Sequence, residues 1–393
     1  MPEPNGTSQP RPTAMPPTSD PEPTMPPTYA RKRSRRKLAI RIVKALIAIA
    51  VIVGLGFTVR SAAQQWHSER ERVVTQIEQI DSRLAASSTA DAPTAGERTL
   101  LAQQRQALRH SIPTWSNIGW IPIGIAALLY GAGTLISGMV LRAWLSVLGY
   151  QPPLALVLAS QTLGHVGKYV PGKAMVVVLR AGVLGRSSVP LMPATIGVFL
   201  ETFMMMAVGA TVAGVVISTL PVPPWMILAA AGGAILASIP TLPPVLQIVT
   251  TRLMDRQSSL GSHAWLACAK GWAWSIVSWI MIGGSFAMIV TAIPTSAPPE
   301  SAARLLAIAT ASISLAMVIG FASLLPGGAG VRELVLTTIL GLVTGPTHAL
   351  LAAILARLVF IVVECVLAMM AWCYLHSRFA PKPLSPAPAV PPA

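Results

Sequence analysis

The residues of this chain able to do chemistry are charges set in apolar surroundings. Lys168, Lys173 and Arg180 lie on and around the stretch Val170-Pro171-Gly172-Lys173, and Arg332 and Glu333 follow Pro326-Gly327-Gly328-Ala329-Gly330. Glu201 is the eleventh residue of an apolar run, and Arg357 and Glu364 lie seven apart on one face of the last run. A charge at membrane depth is costly, so it marks a ligand pathway by default and normally has a partner. Lys168, Lys173, Arg180 and Arg332 form a basic set, and helix N-termini opened at the two breaks would add positive partial charge. The chemistry to expect is recognition of an anion, most naturally the phosphate or other acidic headgroup of a lipid. Blander readings stand beside it: Lys168 and Lys173 as snorkelling flanks, and Arg357 and Glu364 as structural partners of other buried charges.

Other chemistry finds little support. Met204, Met205 and Met206 beside Glu201 read as packing. His165, His263 and His348 have no metal-ligand spacing to one another, so neither a metal nor a cofactor is expected. The motifs HExxH, GxSxG, GxxxxGK[ST] and a GxGxxG following a strand are absent, and no aspartate lies in an apolar span. An enzyme would need an unfamiliar arrangement, such as Glu201 or Glu333 acting as a base on a lipid phosphate. The chain is expected not to be an enzyme.

These charges need elements to hold them, and the composition says which. With 53% hydrophobic and only 11% charged residues over 393 positions, the chain is an all-α integral membrane protein. Its net charge of +15 does not imply nucleic acid, because eight of the 29 basic residues fall between Arg31 and Lys44, just before an apolar run. They read as the cytoplasmic flank of a first span, Leu38 to Val59, retained as an anchor. Residues 1–30 and 376–393, with ten and six prolines, read as disordered tails. Residues 61–111 carry six of the 14 acids and repeat Val73, Ile77, Ile80 and Leu84 at helical spacing before SSTADAPTAG interrupts them. They predict an extracytoplasmic helical hairpin, a spacer or a protein-docking surface.

Apolar runs follow at Ile118 to Leu141, Leu191 to Leu220, Trp225 to Leu246, Trp272 to Ile293, Leu305 to Leu325 and Ala349 to Leu375. Each reaches the roughly 20 residues that cross about 30 Å of hydrocarbon. Two stretches, Leu154 to Leu184 and Leu305 to Val343, are instead broken at Pro171-Gly172 and Pro326-Gly327-Gly328. Non-helical backbone at membrane depth survives only against protein or a wet cavity. Taken as re-entrant hairpins of opposite orientation, they leave six full spans, counting Leu38 to Val59, with both termini inside. Paired interrupted segments in two halves point to an inverted repeat with a site between them.

At GHVGKYVPGKAMVVVLRAGVL and LPGGAGVRELVL the chain resembles the transmembrane region of lysylphosphatidylglycerol synthases, a family that includes the membrane part of archaeal dolichol-linked glycosyltransferases. The likeness covers about residues 118–375, and the second motif, with Pro326, Gly327, Gly328, Gly330, Arg332 and Glu333 in the family's order, is the more specific. It implies a flippase-like membrane domain, since this region in the multiple peptide resistance factor is regarded as a flippase for the aminoacylated lipid. A synthase's soluble aminoacyltransferase domain has no counterpart in the 18 or so residues after the last helix, so synthesis of that lipid is not expected. The expectation is therefore a flippase or transporter of an anionic lipid or lipid-linked glycan in the plasma (inner) membrane. The alternative is a non-catalytic membrane subunit or scaffold for a polyprenyl-phosphate-dependent enzyme, docking through residues 61–111.

Overall fold

Backbone in hydrocarbon must satisfy its own hydrogen bonds, and every element among the described residues is a helix. The computed structural model describes residues 70–85, 94–112, 117–169, 174–187, 189–254, 261–294, 300–323 and 330–379, with a few single positions between 53 and 68. Six helices are long and apolar enough to span a bilayer: Trp120–Val147, Leu191–Ile217, Pro224–Thr241, His263–Ala292, Ala302–Ala322 and His348–Phe379. Their outward residues, such as Ile121, Leu128, Val215, Leu228 and Val362, are more than half exposed, as lipid-facing side chains are. The chain is a multi-pass membrane protein.

The elements are α1 (70–85), α2 (Ala95–Ser111), α3 (Trp120–Val147), α4 (Leu154–Gly167), α5 (Ala174–Leu184), α6 (Leu191–Ile217), α7 (Pro224–Ser238), α8 (Pro243–Met254), α9 (Gly261–Ala292), α10 (Ala302–Ala322), α11 (Val331–Thr344) and α12 (Pro346–Phe379). Several differ from the expected runs. Pro240 and the Pro243-Pro244 pair stop the run expected through Leu246, giving α7, a 3₁₀ turn and then α8. α9 begins eleven residues before Trp272, and α12 takes in residues 376–379, which the sequence assigns to a tail. α10, expected as a hairpin limb, has 21 residues and is long enough to cross by itself. The predicted span Leu38 to Val59, save Val53, and the remainder of both Pro-rich tails lie outside the described residues. So do both breaks, with Pro171, Gly172, Lys173, Pro326, Gly327 and Gly328.

In the polar segment, α2 starts at a capping box: Thr94 N–H and hydroxyl donate to Glu97 at 2.8 and 2.9 Å, holding that carboxyl below its usual range. Asp81 on α1 pairs with Arg105 and Arg109 on α2 at 3.0 and 3.6 Å. Those exposed pairs are each worth at most about 1 kcal/mol. Burial of Val73 and Ile77 contributes more to the order of α1 than its ion pairs do.

Packing of the membrane helices is reciprocal. α3 lies along α9; α4 packs on α12 as α10 packs on α6; α5 follows onto α6 as α11 follows onto α12. α3 and α9 run antiparallel over their full length. Gly119 N–H donates to Ala292 C=O at one end, Ser278 Oγ donates to Gly133 C=O at 2.8 Å in the middle, and Gly271 faces Val140 towards the other. Interhelical hydrogen bonds in bilayers average only about 0.6 kcal/mol, so close packing over small residues holds this seam. On the other side of α9, a side-chain carbon at Gly283 would fall on the Cα and Cβ of Thr310 in α10. Backbone there cannot give way cheaply.

Gly283→Ala should therefore destabilise the purified protein by about 1–3 kcal/mol. Gly124→Ala, where an added carbon meets nothing within 4 Å, should leave it unchanged. Thermal unfolding in detergent compares them, and equal midpoints would refute tight α9–α10 apposition.

Candidate functional site

Four consecutive helices bring polar groups to one point in the apolar interior. Arg180 of α5 donates through Nη1 to Glu201 Oε2 of α6 at 2.8 Å and through Nη2 to the Gln161 carbonyl oxygen of α4. The Gln161 amide nitrogen in turn donates to Ser137 Oγ of α3 at 2.5 Å and to Glu201 Oε1 at 3.2 Å. All four side chains are buried, so the pair satisfies most of its own polar atoms. Gly164 makes this possible, because a side chain there would overlap the Arg180 methylenes. One group stays open: the buried Arg180 Nε has no hydrogen-bond partner.

The second cluster centres on Glu364 of α12, 1% exposed. Its Oε1 accepts from Tyr130 Oη of α3 and from Lys168 Nζ at the end of α4; its Oε2 accepts from Tyr169 Oη at 2.8 Å. His165 Nδ1 stands 4.0 Å from Oε1. Tyr130 stacks on Phe360 with ring centroids 3.7 Å apart, and the Arg332 guanidinium lies over the same Phe360 at 5.5 Å.

The third cluster fixes α11. Gly330 precedes it at φ +81°, a conformation that favours glycine. That turn lets the Gly330 N–H donate to Glu333 Oε2 at 2.7 Å while Oε1 accepts from Arg357 Nη1 of α12 at 2.6 Å. The neighbouring charges Arg332 and Glu333 point apart: Arg332 lines the cavity, while Glu333 turns back to the Gly330 N–H and to Arg357. Arg357 and Glu364 likewise serve different partners, one on α11 and one on α4.

A cavity of about 260 Å³ opens between these elements. Tyr130, Gln161, His165, Lys168, Arg180, Glu201 and Arg332 supply its polar lining; Met205, Met206, Trp279, Met317 and Phe321 supply an apolar wall. Trp279 Nε1 donates to Met205 C=O at 2.9 Å, its ring close against Gly209. The expected electropositive cavity is thus largely neutralised: Arg180 is matched by Glu201 and Lys168 by Glu364. Among the described residues, Arg332 lines the cavity with no carboxylate partner. Glu333, Arg357, Glu364 and Gly330 hold the wall without lining it, and Lys173, Pro171, Gly172, Pro326, Gly327 and Gly328 fall outside the described residues. No three of His, Cys, Asp or Glu come together as metal ligands among the described residues.

An all-helical membrane bundle around a cavity of buried, mostly paired charges defines a class of integral membrane protein. Residues 99–367 match the family described as the lysylphosphatidylglycerol synthase TM region, and the chain belongs to that family. A search of curated proteins finds no significant match.

Sequence reasoning missed Tyr130, Gln161, Tyr169 and Trp279, and gave His165 no role. Gln161 carries the clearest signal, an amide inside the apolar run Leu154 to Gly167; the others needed the packing. The Arg180–Glu201 pair yields a test. Arg180→Met leaves Glu201 buried without its cation and should cost about 3–5 kcal/mol of stability, whereas Arg180→Met with Glu201→Leu should recover most of it. Detergent unfolding of wild type, Arg180→Met, Glu201→Leu and the double variant measures this, and additive losses would mean that the pair is not coupled.

Proposed function

We propose that this chain moves a lipid with an anionic, phosphate-bearing headgroup, with or without an attached glycan, between the leaflets of the plasma membrane, and catalyses no reaction. Arg332 carries the reading. Its guanidinium lines a cavity whose other described charges are matched, beside an apolar wall suited to an acyl or prenyl chain. Guanidinium binds phosphate bidentately, and such charge-assisted bonds are the strong ones in a low dielectric. Membership of a family named for a lipid synthase's membrane region supports a lipid as the cargo.

The packing supports alternating access. α4 and α5 run antiparallel, as Gly164 lies against Arg180 and Gly167 against Val176. With 14 and 11 residues they reach about 21 and 16 Å, each short of the hydrocarbon thickness, which favours a re-entrant hairpin. Reciprocal packing of α3–α6 and α9–α12, with α3 antiparallel to α9, favours inverted repeats flanking the cavity. Arg142, Arg186, Arg252 and Lys270 set the cytoplasmic side, with both termini there and α1–α2 outside.

Vesicles reconstituted with the protein and a headgroup-labelled phosphatidylglycerol test the proposal through the fraction of label a membrane-impermeant quencher reaches. Wild type should equilibrate the label between leaflets, and Arg332→Gln should slow this roughly 10- to 100-fold at unchanged folded yield, as expected for loss of a charged hydrogen bond of about 1.5–3 kcal/mol. Equal movement of a labelled phosphatidylcholine, or none of either lipid, would sink it.

A further inference from the structure

Lys168 lines the cavity, yet its ammonium is already held by the Glu364 carboxylate. An anion that reaches Lys168 must compete with that carboxylate. Among the described residues the loser has no second cation within bonding distance: its other partners are the Tyr130 and Tyr169 hydroxyls, with His165 Nδ1 at 4.0 Å. A carboxylate this deeply buried and stripped of its cation is costly as an ion and takes a proton instead.

We infer that Glu364 is a proton site coupled one for one to the cavity, binding a proton when a phosphate-bearing headgroup takes Lys168 from it. The inference rests on the cavity being an anion site, as proposed above. The charges balance. Lys168 keeps its three protons and exchanges one anionic partner for another; Glu364 gains one proton at Oε1, the oxygen Lys168 leaves. The new O–H donates to the Tyr130 hydroxyl oxygen, whose own hydrogen, until then given to Oε1, turns to the incoming anion in the cavity that Tyr130 lines, while Tyr169 still donates to Oε2. At the Lys168–Glu364 pair, anion and proton together leave no carboxylate without a cation, whereas the anion alone would strand Glu364 as a buried ion. That difference makes the two events concerted in a medium where an extra unpaired charge costs several kcal/mol.

His165 supplies the route. It lines the cavity, one ring nitrogen stands towards Glu364, and its buried Nε2 has no hydrogen-bond partner. An imidazole accepts a proton at one nitrogen and releases one at the other, so His165, partly exposed at the cavity with Nδ1 towards Glu364, can pass a proton to that carboxylate. The neighbouring titratable and charged groups are Tyr130 of α3, His165 and Lys168 of α4, Tyr169 after it, Arg332 of α11, and Cys365 and Arg357 of α12. Arg357 is engaged by Glu333. Among the described residues, no other carboxylate bonds to Lys168.

Calorimetric titration of the detergent-purified protein with a short-chain phosphatidylglycerol tests this, in two buffers of different protonation enthalpy. The probe's phosphodiester does not titrate near neutral pH, so proton uptake reports the protein. The expected result is uptake of about one proton per lipid and binding that weakens about tenfold per pH unit as pH rises, because the bound state holds the extra proton. An infrared carbonyl band of a protonated carboxyl, told from the lipid's own ester carbonyls by its shift in D2O, should appear when the lipid is added. Glu364→Gln, a neutral isostere that has already released Lys168, should bind at least as tightly as wild type, without proton uptake, pH dependence or the new band. Should that variant not fold, the wild-type buffer pair and infrared band decide alone. Binding without proton uptake, or uptake that persists in Glu364→Gln, would overturn the coupling while leaving the anion site standing. Equal binding of short-chain phosphatidylcholine would overturn both.

Discussion

A charge cannot stay alone in hydrocarbon, and the membrane domain is arranged around that constraint. Among the described residues three ion pairs inside the bundle, the buried Arg180–Glu201 and Glu333–Arg357 and the part-buried Lys168–Glu364, each join a short helix to a long one. Hydrophobic matching cannot do this job, since lipid tails solvate leucine as well as protein does, and an apolar short helix has no strong reason to choose one long neighbour. Ion pairs supply the choice, because breaking one strands a charge at a cost of about 3–5 kcal/mol. The position of each short helix is therefore fixed by a few polar atoms, while the α3–α9 seam is fixed by close contact along its length.

The two kinds of contact have different consequences. Close packing is bistable at best, since small residues either mesh or clash. A charge can change partners without any helix losing its packing, provided that another ion of the same sign arrives. Lys168 and Arg180, both lining the cavity, are held by exchangeable bonds, and Arg332 rests on an aromatic face with its hydrogen-bonding groups uncommitted to any carboxylate. The cavity thus places its replaceable interactions where a ligand would enter and its permanent ones behind them.

How much of this could be read in the sequence follows from the same physics. Apolar runs of span length are local properties, so most of the spanning helices were legible within a few residues at one end or both. α7 fell short where Pro240 and Pro243-Pro244 cut its run, and α10, with the same 21 residues as the run Leu305 to Leu325, starts and ends three residues earlier. Every candidate charge was visible as a polar residue in apolar surroundings. Their pairing was not. Glu364 joins Lys168 across 196 positions, and nothing local distinguishes that partner from Arg357, about two helical turns away on the same face. The assumption that like residues pool their charge made the cavity look basic, whereas desolvation demands that nearly every cation find an acid first. Tyr130 and Tyr169 went unnoticed because an aromatic hydroxyl in an apolar run gives no sign of what it bonds.

The two pairs that tie α5 to α6 and α11 to α12 have opposite polarity: the short helix carries the cation in one, Arg180, and the anion in the other, Glu333. In a domain whose halves pack reciprocally, an exchange of the two short helices during insertion is the obvious error. Such an exchange would set Arg180 against Arg357 and Glu333 against Glu201. Both mismatches repel, and both leave like charges facing each other without water. The inversion of sign therefore acts as a key, since each long helix accepts only the short helix whose charge is opposite to its own.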